Sequence, residues 1–169
     1  MNPKNTFNIL LGALSDLNSE LSIEQTFIDL TIVGSMAIYL NGLNIVRMTE
    51  DIDYIDFNAN ESFKRIVLKV AKKNNLPEDW INSRAKEIAP LPLELEKRLQ
   101  TDNRFSNIKL RVIDVETAII MKIYAYYIRN LAKDLSDLNL LSPNKEQIIK
   151  GVNYIPVSYT HLRAHETRH

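Results

Sequence analysis

The chain contains no cysteine and only three histidines, all within its last nine residues. Without cysteine it has no disulfide, no thiol nucleophile and no Cys-ligated zinc. Before His161 it also has no Ser-His-Asp or Cys-His arrangement and no histidine metal site. Chemistry in that part must use carboxylates, lysine, arginine and hydroxyl groups. This set favours oxygen-ligated Mg²⁺ or Mn²⁺ beside phosphate groups.

An excess of charge is absent too, since 21 Lys and Arg balance 21 Asp and Glu. The total charge therefore gives no strong sequence-independent attraction to nucleic acid, although it leaves room for a local basic groove. No apolar run approaches the roughly 20 residues that span a bilayer, and the start MNPKNTFN has no basic region leading into an apolar signal core. These absences predict a soluble, unprocessed, cytoplasmic protein with no membrane partner.

A length of 169 residues with 45% hydrophobic composition predicts one domain. We place it at residues 1–152, with C-terminal helices from about residue 114. The rest, 153–169, ends in VSYTHLRAHETRH, which resembles the translated read-through of a sequencing adapter. We therefore expect a non-native or disordered tail from about residue 157. The alternative is a His-rich metal tract, because His161 and His165 would share one helical face.

Apolar periodicity and turn residues predict an α/β order of elements. Helices are predicted at 5–20, 35–43, 61–75, 115–130, 131–141 and 143–152, and strands in TFIDLTIV, DIDYIDF and IKLRVI. Gly42 is a candidate C-cap and Asp114 a candidate N-cap. Residues 76–105 contain three prolines and many charges, and we interpret them as short helices and loops rather than sheet. The predicted architecture is a small sheet followed by helices.

Two aspartates, Asp51 and Asp53, alternate with Ile52 in a segment with strand periodicity. They should point to one face while Ile52 points into the core. Neighbouring carboxylates repel, and in a partly buried site a divalent cation between them removes the penalty. Two such ions about 3.5–4 Å apart can clamp the attacking and leaving oxygens of a displacement at phosphorus. The alternative is a solvated edge strand with outward-facing aspartates.

The Gly-Ser pair at Gly34 and Ser35 ends one predicted strand and opens a helix. Unpaired backbone N–H groups and the missing side chain of Gly34 would let a phosphate approach closely. An ordinary strand-to-helix turn is the alternative. The phosphate-binding interpretation of Gly34 and Ser35 is favoured because the two aspartates follow at a suitable spacing.

These segments carry a family resemblance. GSMAIYLNGL followed by RMTEDIDYID resembles the nucleotidyltransferase superfamily signature, in which a strand, Gly-Ser and a helix precede an Asp-x-Asp strand. The chain is similar to small bacterial nucleotidyltransferase-like proteins of the DUF6036 and AbiEii-related groups. Those proteins typically show Arg-x-Thr-x-Asp-Ile-Asp, which is matched by Arg47, Thr49, Asp51, Ile52 and Asp53. LPEDWINSRAK and the run from Asp114 to Leu141 extend the likeness to about residue 150.

A second half of the site is suggested in the C-terminal helices. Lys122 interrupts an apolar helical stripe, so either an anion pairs with it or its ammonium snorkels to the surface. Asp134 and Asp137 lie on one helical face, where acidic residues usually face solvent. In the resembling groups a helical Lys, an Arg and a Lys-Asp-x-x-Asp segment recur, and Lys122, Arg129, Lys133, Asp134 and Asp137 match them.

The resemblance implies a polymerase-beta-like fold of the nucleotidyltransferase type, a small mixed α/β sheet flanked by helices. It implies an NTP substrate, Mg²⁺ or Mn²⁺ as cofactor, and a metal site at Asp51 and Asp53. The implied catalytic residues are Asp51, Asp53, Lys122 and Asp134, and the implied nucleotide-binding residues are Gly34, Ser35, Arg47, Thr49, Arg129 and Asp137.

One departure from the family pattern leaves the activity open. Many nucleotidyltransferases carry a third carboxylate on a later strand, but IKLRVI has none, Asp114 suits capping and Asp56 points off the Asp51/Asp53 face. The leading hypothesis is an enzyme that transfers a nucleoside monophosphate to a hydroxyl of a protein, an RNA such as tRNA, or a small molecule. The alternative is an inactive fold that binds a cognate protein in a toxin–antitoxin or phage-defence pair. A third reading is an α/β domain with no nucleotide site.

Overall fold

The computed structural model describes residues 3–43, 49–55, 59–85 and 94–166. Within these ranges it has six α-helices and five strands. In chain order they are α1 (Pro3–Ile23), β1 (Ile28–Val33), α2 (Gly34–Leu40), β2 (Ile52–Tyr54), α3 (Glu61–Asn74), β3 (Ile81–Asn82), β4 (Gln100–Asp102), β5 (Ile108–Val112), α4 (Val115–Arg129), α5 (Ala132–Leu141) and α6 (Lys145–Glu166).

The strands form one mixed sheet in the order β3-β2-β1-β5-β4. β1 pairs antiparallel with β2 and parallel with β5, β2 pairs parallel with β3, and β4 pairs antiparallel with β5. The register places Val33 opposite Asp53 and Ile32 opposite Val112. The predicted small mixed sheet flanked by helices is therefore confirmed.

The core lies on both faces of the central strand β1, whose Leu30, Ile32 and Val33 are fully buried. Apolar β-branched side chains dominate β1 because helices cover both of its faces. Helix α1 packs against α3, and its apolar side chains, including Phe7 and Leu14, are buried. This packing holds the carboxyl end of β1, where the chain turns into α2, in a fixed position.

The prediction that residues 76–105 form no sheet is wrong. β3 and β4 lie in this region and form the two edges of the sheet, and a 3₁₀ turn spans Leu95–Arg98. Both strands are too short to show side-chain alternation, and their pairing comes from backbone hydrogen bonds with β2 and β5. Trp80, just before β3, is fully buried and donates from Nε1 to the carbonyl oxygen of Val67 at 3.2 Å.

The C-terminal helices pack on the sheet through α4, which contacts α2, α5 and α6. The last helix, α6, extends to Glu166, fourteen positions beyond the predicted end at 152. It lies so close to α4 that a Cβ on Gly151 would overlap Ile123 Cδ1. The non-native origin of the tail stays a prediction. Among the described residues no helix is long and apolar enough to cross a membrane.

Asp114 caps α4 as predicted, accepting a hydrogen bond from the Thr117 backbone N–H at 2.7 Å. Asp114→Ala should lower the free energy of unfolding by about 1 kcal/mol, because one N–H of the first turn loses its acceptor. Asp114→Ser keeps an acceptor and should retain most of the stability. Urea denaturation of the two variants checks this, and equal stabilities would argue against the cap.

Candidate active site

A cavity of about 340 Å³ opens where β1 ends, between β2, α2 and α4. Both predicted halves of the site contribute to its wall: Gly34, Ser35, Thr49, Asp51 and Asp53 from the first, and Lys122 and Arg129 from the second. The lining also includes Arg84, Lys133 and an apolar side formed by Val33, Ala85, Ile113, Ala118, Met121 and Ala125. Residues distant in sequence thus converge on one concave surface.

Gly34 has a left-handed backbone, with φ of +67°, at the turn from β1 into α2. A Cβ built on it would lie 2.9 Å from Asp53 Oδ2. Glycine is required here because other residues strain this backbone and because the carboxylate of Asp53 packs directly against the turn. The Gly-Ser turn and the aspartate strand are therefore in contact.

Gly34→Ala should weaken the nucleotide binding that the sequence predicts, as well as stability, because the new methyl group pushes against the Asp53 carboxylate. Gly42→Ala is the matched control, since Gly42 also has a positive φ, of +82°, but no contact within 4 Å of its Cβ position from the part of the chain that the structure describes. Both variants should lose roughly 1 kcal/mol of stability from backbone strain. Only Gly34→Ala should also weaken binding of Mg-ATP in calorimetry, and equal binding by the two variants would contradict the close contact at Asp53.

The site disfavours the ionised form of Asp53. Burial, and then the charge of Asp51, raise the pKa of Asp53 above its usual range, against the lowering effect of Lys122, Arg84 and Lys133. A divalent cation would relieve both the burial and the repulsion. Two carboxylates together with substrate phosphates form a donor set that Mg²⁺ commonly uses. The residues present therefore fit a Mg²⁺ or Mn²⁺ ion bound by Asp51 and Asp53.

Asp51, just before β2, is held by three side chains. Thr49 donates from its hydroxyl to Asp51 Oδ1 at 3.1 Å. Asn82 Nδ2 and Arg84 Nη2 donate to Asp51 Oδ2 at 3.3 and 3.2 Å. Thr49, predicted to bind nucleotide, lines the cavity and is placed to orient Asp51.

The second half of the site is a buried ionic cluster. Lys122 Nζ lies 2.6 Å from Asp137 Oδ2 and 3.6 Å from Asp134 Oδ1. Arg129 Nη2 donates to both oxygens of Asp134, at 2.7 and 2.9 Å. The side chains of Asp134 and Asp137 are 0% and 3% exposed, and that of Lys122 is 13% exposed. The alternatives in which Lys122 snorkels to the surface and Asp134 and Asp137 face solvent are therefore wrong.

Asp134 and Asp137 are not part of the cavity lining. Their contacts instead hold Lys122 and Arg129 at the cavity wall, so the direct catalytic and nucleotide-binding roles predicted for them lack support from this geometry. Arg129 Nε is buried with no hydrogen-bond partner among the described residues.

Two predicted positions, Arg47 and Asp56, lie outside the described residues. Sequence reasoning also missed Asn82 and Arg84, although they stand in the INSRAK segment that carries the family resemblance. The short strand β3, which aligns Asn82 with Asp53, is what brings them to the site. Lys133, which matched the family pattern without an assigned role, also lines the cavity.

The residue that directly follows β5 is Ile113, whose backbone N–H donates to the Ile32 carbonyl oxygen next to Val33. Ile113 lines the cavity and is fully buried. This agrees with the absence of a third carboxylate in IKLRVI. Across the described ranges no group of three or more His, Cys, Asp or Glu side chains could hold a metal ion.

A mixed sheet with a Gly-Ser turn beside paired aspartates is the arrangement of a nucleotidyltransferase-type domain. Residues 9–152 match the family DUF6036, described as a nucleotidyltransferase of unknown function. The chain belongs to that family, as the sequence resemblance predicted. No significant match was found among curated proteins or among solved structures.

Proposed function

We propose that this protein is a Mg²⁺- or Mn²⁺-dependent nucleotidyltransferase that moves a nucleoside monophosphate from an NTP to an acceptor hydroxyl. The observation that carries the proposal is the composition of the cavity wall. It combines a paired carboxylate site with four cationic side chains, Arg84, Lys122, Arg129 and Lys133. Two carboxylates suit a divalent metal ion, and the cationic side chains along the wall suit a polyphosphate.

Each residue has a role in this reaction. Asp51 and Asp53 hold the metal, which when bound polarises the phosphoryl group and neutralises its charge. Ser35 and the open backbone at Gly34 receive the triphosphate, with Arg129 and Lys122 facing it across the cavity. The acceptor oxygen bonds to the α-phosphorus, the bond from that phosphorus to the bridging oxygen breaks, and pyrophosphate leaves. The hydroxyl proton passes to water, because the described part of the cavity wall offers no carboxylate besides Asp51 and Asp53.

Lys122 and Arg129 are well placed to stabilise charge that develops in the transition state. Their buried partners Asp134 and Asp137 fix them before substrate arrives, so little reorganisation is needed during the reaction. The apolar side of the cavity, including Met121 and Ala125, limits water access beside them.

The binding test is isothermal titration of the protein with Mg-ATP and with the other Mg-NTPs. Asp51→Asn/Asp53→Asn should bind the preferred NTP at least about 100-fold more weakly, because the metal loses both carboxylates. The matched control is Asp29→Asn/Glu61→Gln, which removes the same charge at exposed positions outside the cavity. Equal affinities in all three proteins would refute the assignment of the metal site.

A second candidate is favoured by the lack of a third carboxylate in IKLRVI, whose last residue, Ile113, lines the cavity with an apolar side chain. In that case the domain retains the fold and nucleotide cavity but serves as a partner-binding module in a two-protein system. Incubation with α-³²P-labelled NTPs and extracts of the source cells separates the two candidates. Label transfer that is lost in Asp51→Asn/Asp53→Asn supports the enzyme. Stable co-purification with one protein, without transfer from any NTP, supports the module.

A further inference from the structure

Arg84 differs from the other cations of the cavity in how it is held. Lys122 and Arg129 are bound by buried aspartates behind the wall. Arg84 is 58% exposed and contacts Asp51, one of the two carboxylates assigned to the metal. Its guanidinium can leave that contact without exposing a buried charge. Arg84 is therefore a cation that can both occupy the metal site and move away from it.

Arg84 contacts a carboxylate that would bind the metal ion. Arg84 Nη2 lies 3.2 Å from Asp51 Oδ2, while Oδ1 accepts from Thr49. A divalent ion bound by Asp51 and Asp53 would interact with the same negative charge of Asp51 that the Arg84 guanidinium contacts. The two cations compete for Asp51, because a carboxylate that is already neutralised by arginine attracts a second cation less strongly.

The neighbouring chain sets the position from which Arg84 would move. The backbone N–H and Nε of Arg84 both donate to Asn82 Oδ1, each at 3.0 Å. This turn anchors the base of the guanidinium at the end of β3 and leaves its outer nitrogens directed at Asp51 and at Asp79. Since Arg84 lines the cavity, a short rotation of the side-chain end keeps it within reach of a bound phosphate.

We propose that Arg84 is an exchangeable counter-ion of the metal site. It neutralises Asp51 until the metal and NTP bind, and it then transfers its charge-assisted hydrogen bonds to the polyphosphate. Arginine suits this role because its planar guanidinium forms paired hydrogen bonds with carboxylate and phosphate alike. The inference rests on the proposed function, and it adds that the metal and Arg84 exclude each other at Asp51 in the absence of nucleotide.

The test compares the binding of Mn²⁺ alone with the binding of the nucleotide. Arg84→Met keeps an unbranched side chain and removes the charge. It should tighten Mn²⁺ binding by about 2- to 5-fold, the range for loss of one exposed ionic competitor. It should weaken Mn-ATP binding by about 10-fold or more, because the phosphate loses an arginine partner. Opposite changes in the two affinities are the signature of exchange.

The chain offers a close control for Arg84→Met. Arg104 makes the same local turn, with its backbone N–H and Nε both donating to Asp102 Oδ1 at 3.1 and 2.9 Å. It does not line this cavity. Arg104→Met should leave both affinities unchanged. In an Asp51→Asn background Arg84→Met should no longer tighten Mn²⁺ binding, because the carboxylate for which the two cations compete has been removed.

Electron paramagnetic resonance of free Mn²⁺ measures the first affinity, and calorimetry measures the second. Weaker or unchanged Mn²⁺ binding in Arg84→Met would overturn the proposal, since Arg84 would then only orient Asp51. Unchanged Mn-ATP binding would also overturn it. If the wild-type protein binds neither Mn²⁺ nor Mn-ATP, the proposed function fails together with this inference. If it binds both through Asp51 and Asp53, only the role of Arg84 is at issue.

Discussion

Lys122→Met is expected to lower the free energy of unfolding by about 3–5 kcal/mol, the usual loss when one partner of a buried ion pair is removed. Asp137 would lose its 2.6 Å contact with the Lys122 ammonium, and Asp134 would keep only its bonds with Arg129. The side chains of both aspartates are almost fully buried, so water cannot replace the lost cation. Urea denaturation at pH 7 measures the loss.

Two further variants make this result specific. Lys122→Met/Asp137→Asn should recover much of the stability, because the carboxylate that contacts the Lys122 ammonium is removed together with it. Lys150→Met breaks an exposed ion pair with Glu116 and should lose less than about 1 kcal/mol. If Lys122→Met is no more harmful than Lys150→Met, the ionic cluster does not support the cavity wall.

Asp53→Asn is expected to abolish transfer, by about 10³-fold or more, and at the same time to stabilise the metal-free protein at pH 7. Asp53→Asn removes one of the two carboxylates proposed to bind the metal ion. The ion should then bind more weakly and neutralise less of the phosphate charge. Stability changes in the other direction because the ionised Asp53 is buried beside Asp51. Thermal unfolding in EDTA should therefore give a higher Tm for Asp53→Asn than for the wild type. Added Mg-NTP should raise the Tm of the wild type only.

The pH dependence of this stability difference has a definite sign. Burial and Asp51 raise the pKa of Asp53 in the folded protein above its ordinary value of 3.8, so the folded state binds the proton more tightly than the unfolded chain does. Protonation of Asp53 contributes its full stabilisation below pH 3.8. This contribution is lost as the pH rises through the pKa that Asp53 has in the folded protein. The advantage of Asp53→Asn over the wild type should therefore increase from about pH 4 upwards and then level off.

Other carboxylates shift in the opposite direction. The pKa values of Asp16 and Glu116 are lowered mainly by hydrogen bonds, with Lys73 and Arg98 respectively. They make the wild type more stable as pH rises, but they are common to both proteins and cancel in the difference. A stability difference that does not change between pH 4 and pH 7 would show that Asp53 is not electrostatically strained.

The first half of the site could be predicted because its signals are local. Gly34, Ser35, Asp51 and Asp53 are placed by a strand end, a turn and strand alternation, each of which depends on residues only a few positions apart. The capping of α4 by Asp114 was predictable for the same reason. The contact between Gly34 and Asp53 was not, since it depends on the antiparallel pairing of β1 with β2.

The second half shows how tertiary structure overrules a local pattern. On sequence alone Asp134 and Asp137 share one helical face and suit solvent. The packing of α5 against α4 instead turns that face inward, onto Lys122 and Arg129. The charges neutralise one another in the interior, and the aspartates support the cavity from behind rather than entering it.

By itself the sequence determined the helices, the strands β1, β2 and β5, the family, and the pair of aspartates that follows a Gly-Ser turn. Only the tertiary structure decided that Arg84 and Asn82 reach Asp51, that Ile113 takes the position beside Val33, and that the ionic cluster is buried. The physical reason is that helix and strand periodicity is set by neighbours along the chain. Pairing of short edge strands and burial of charges are instead set by contacts between separate helices and strands.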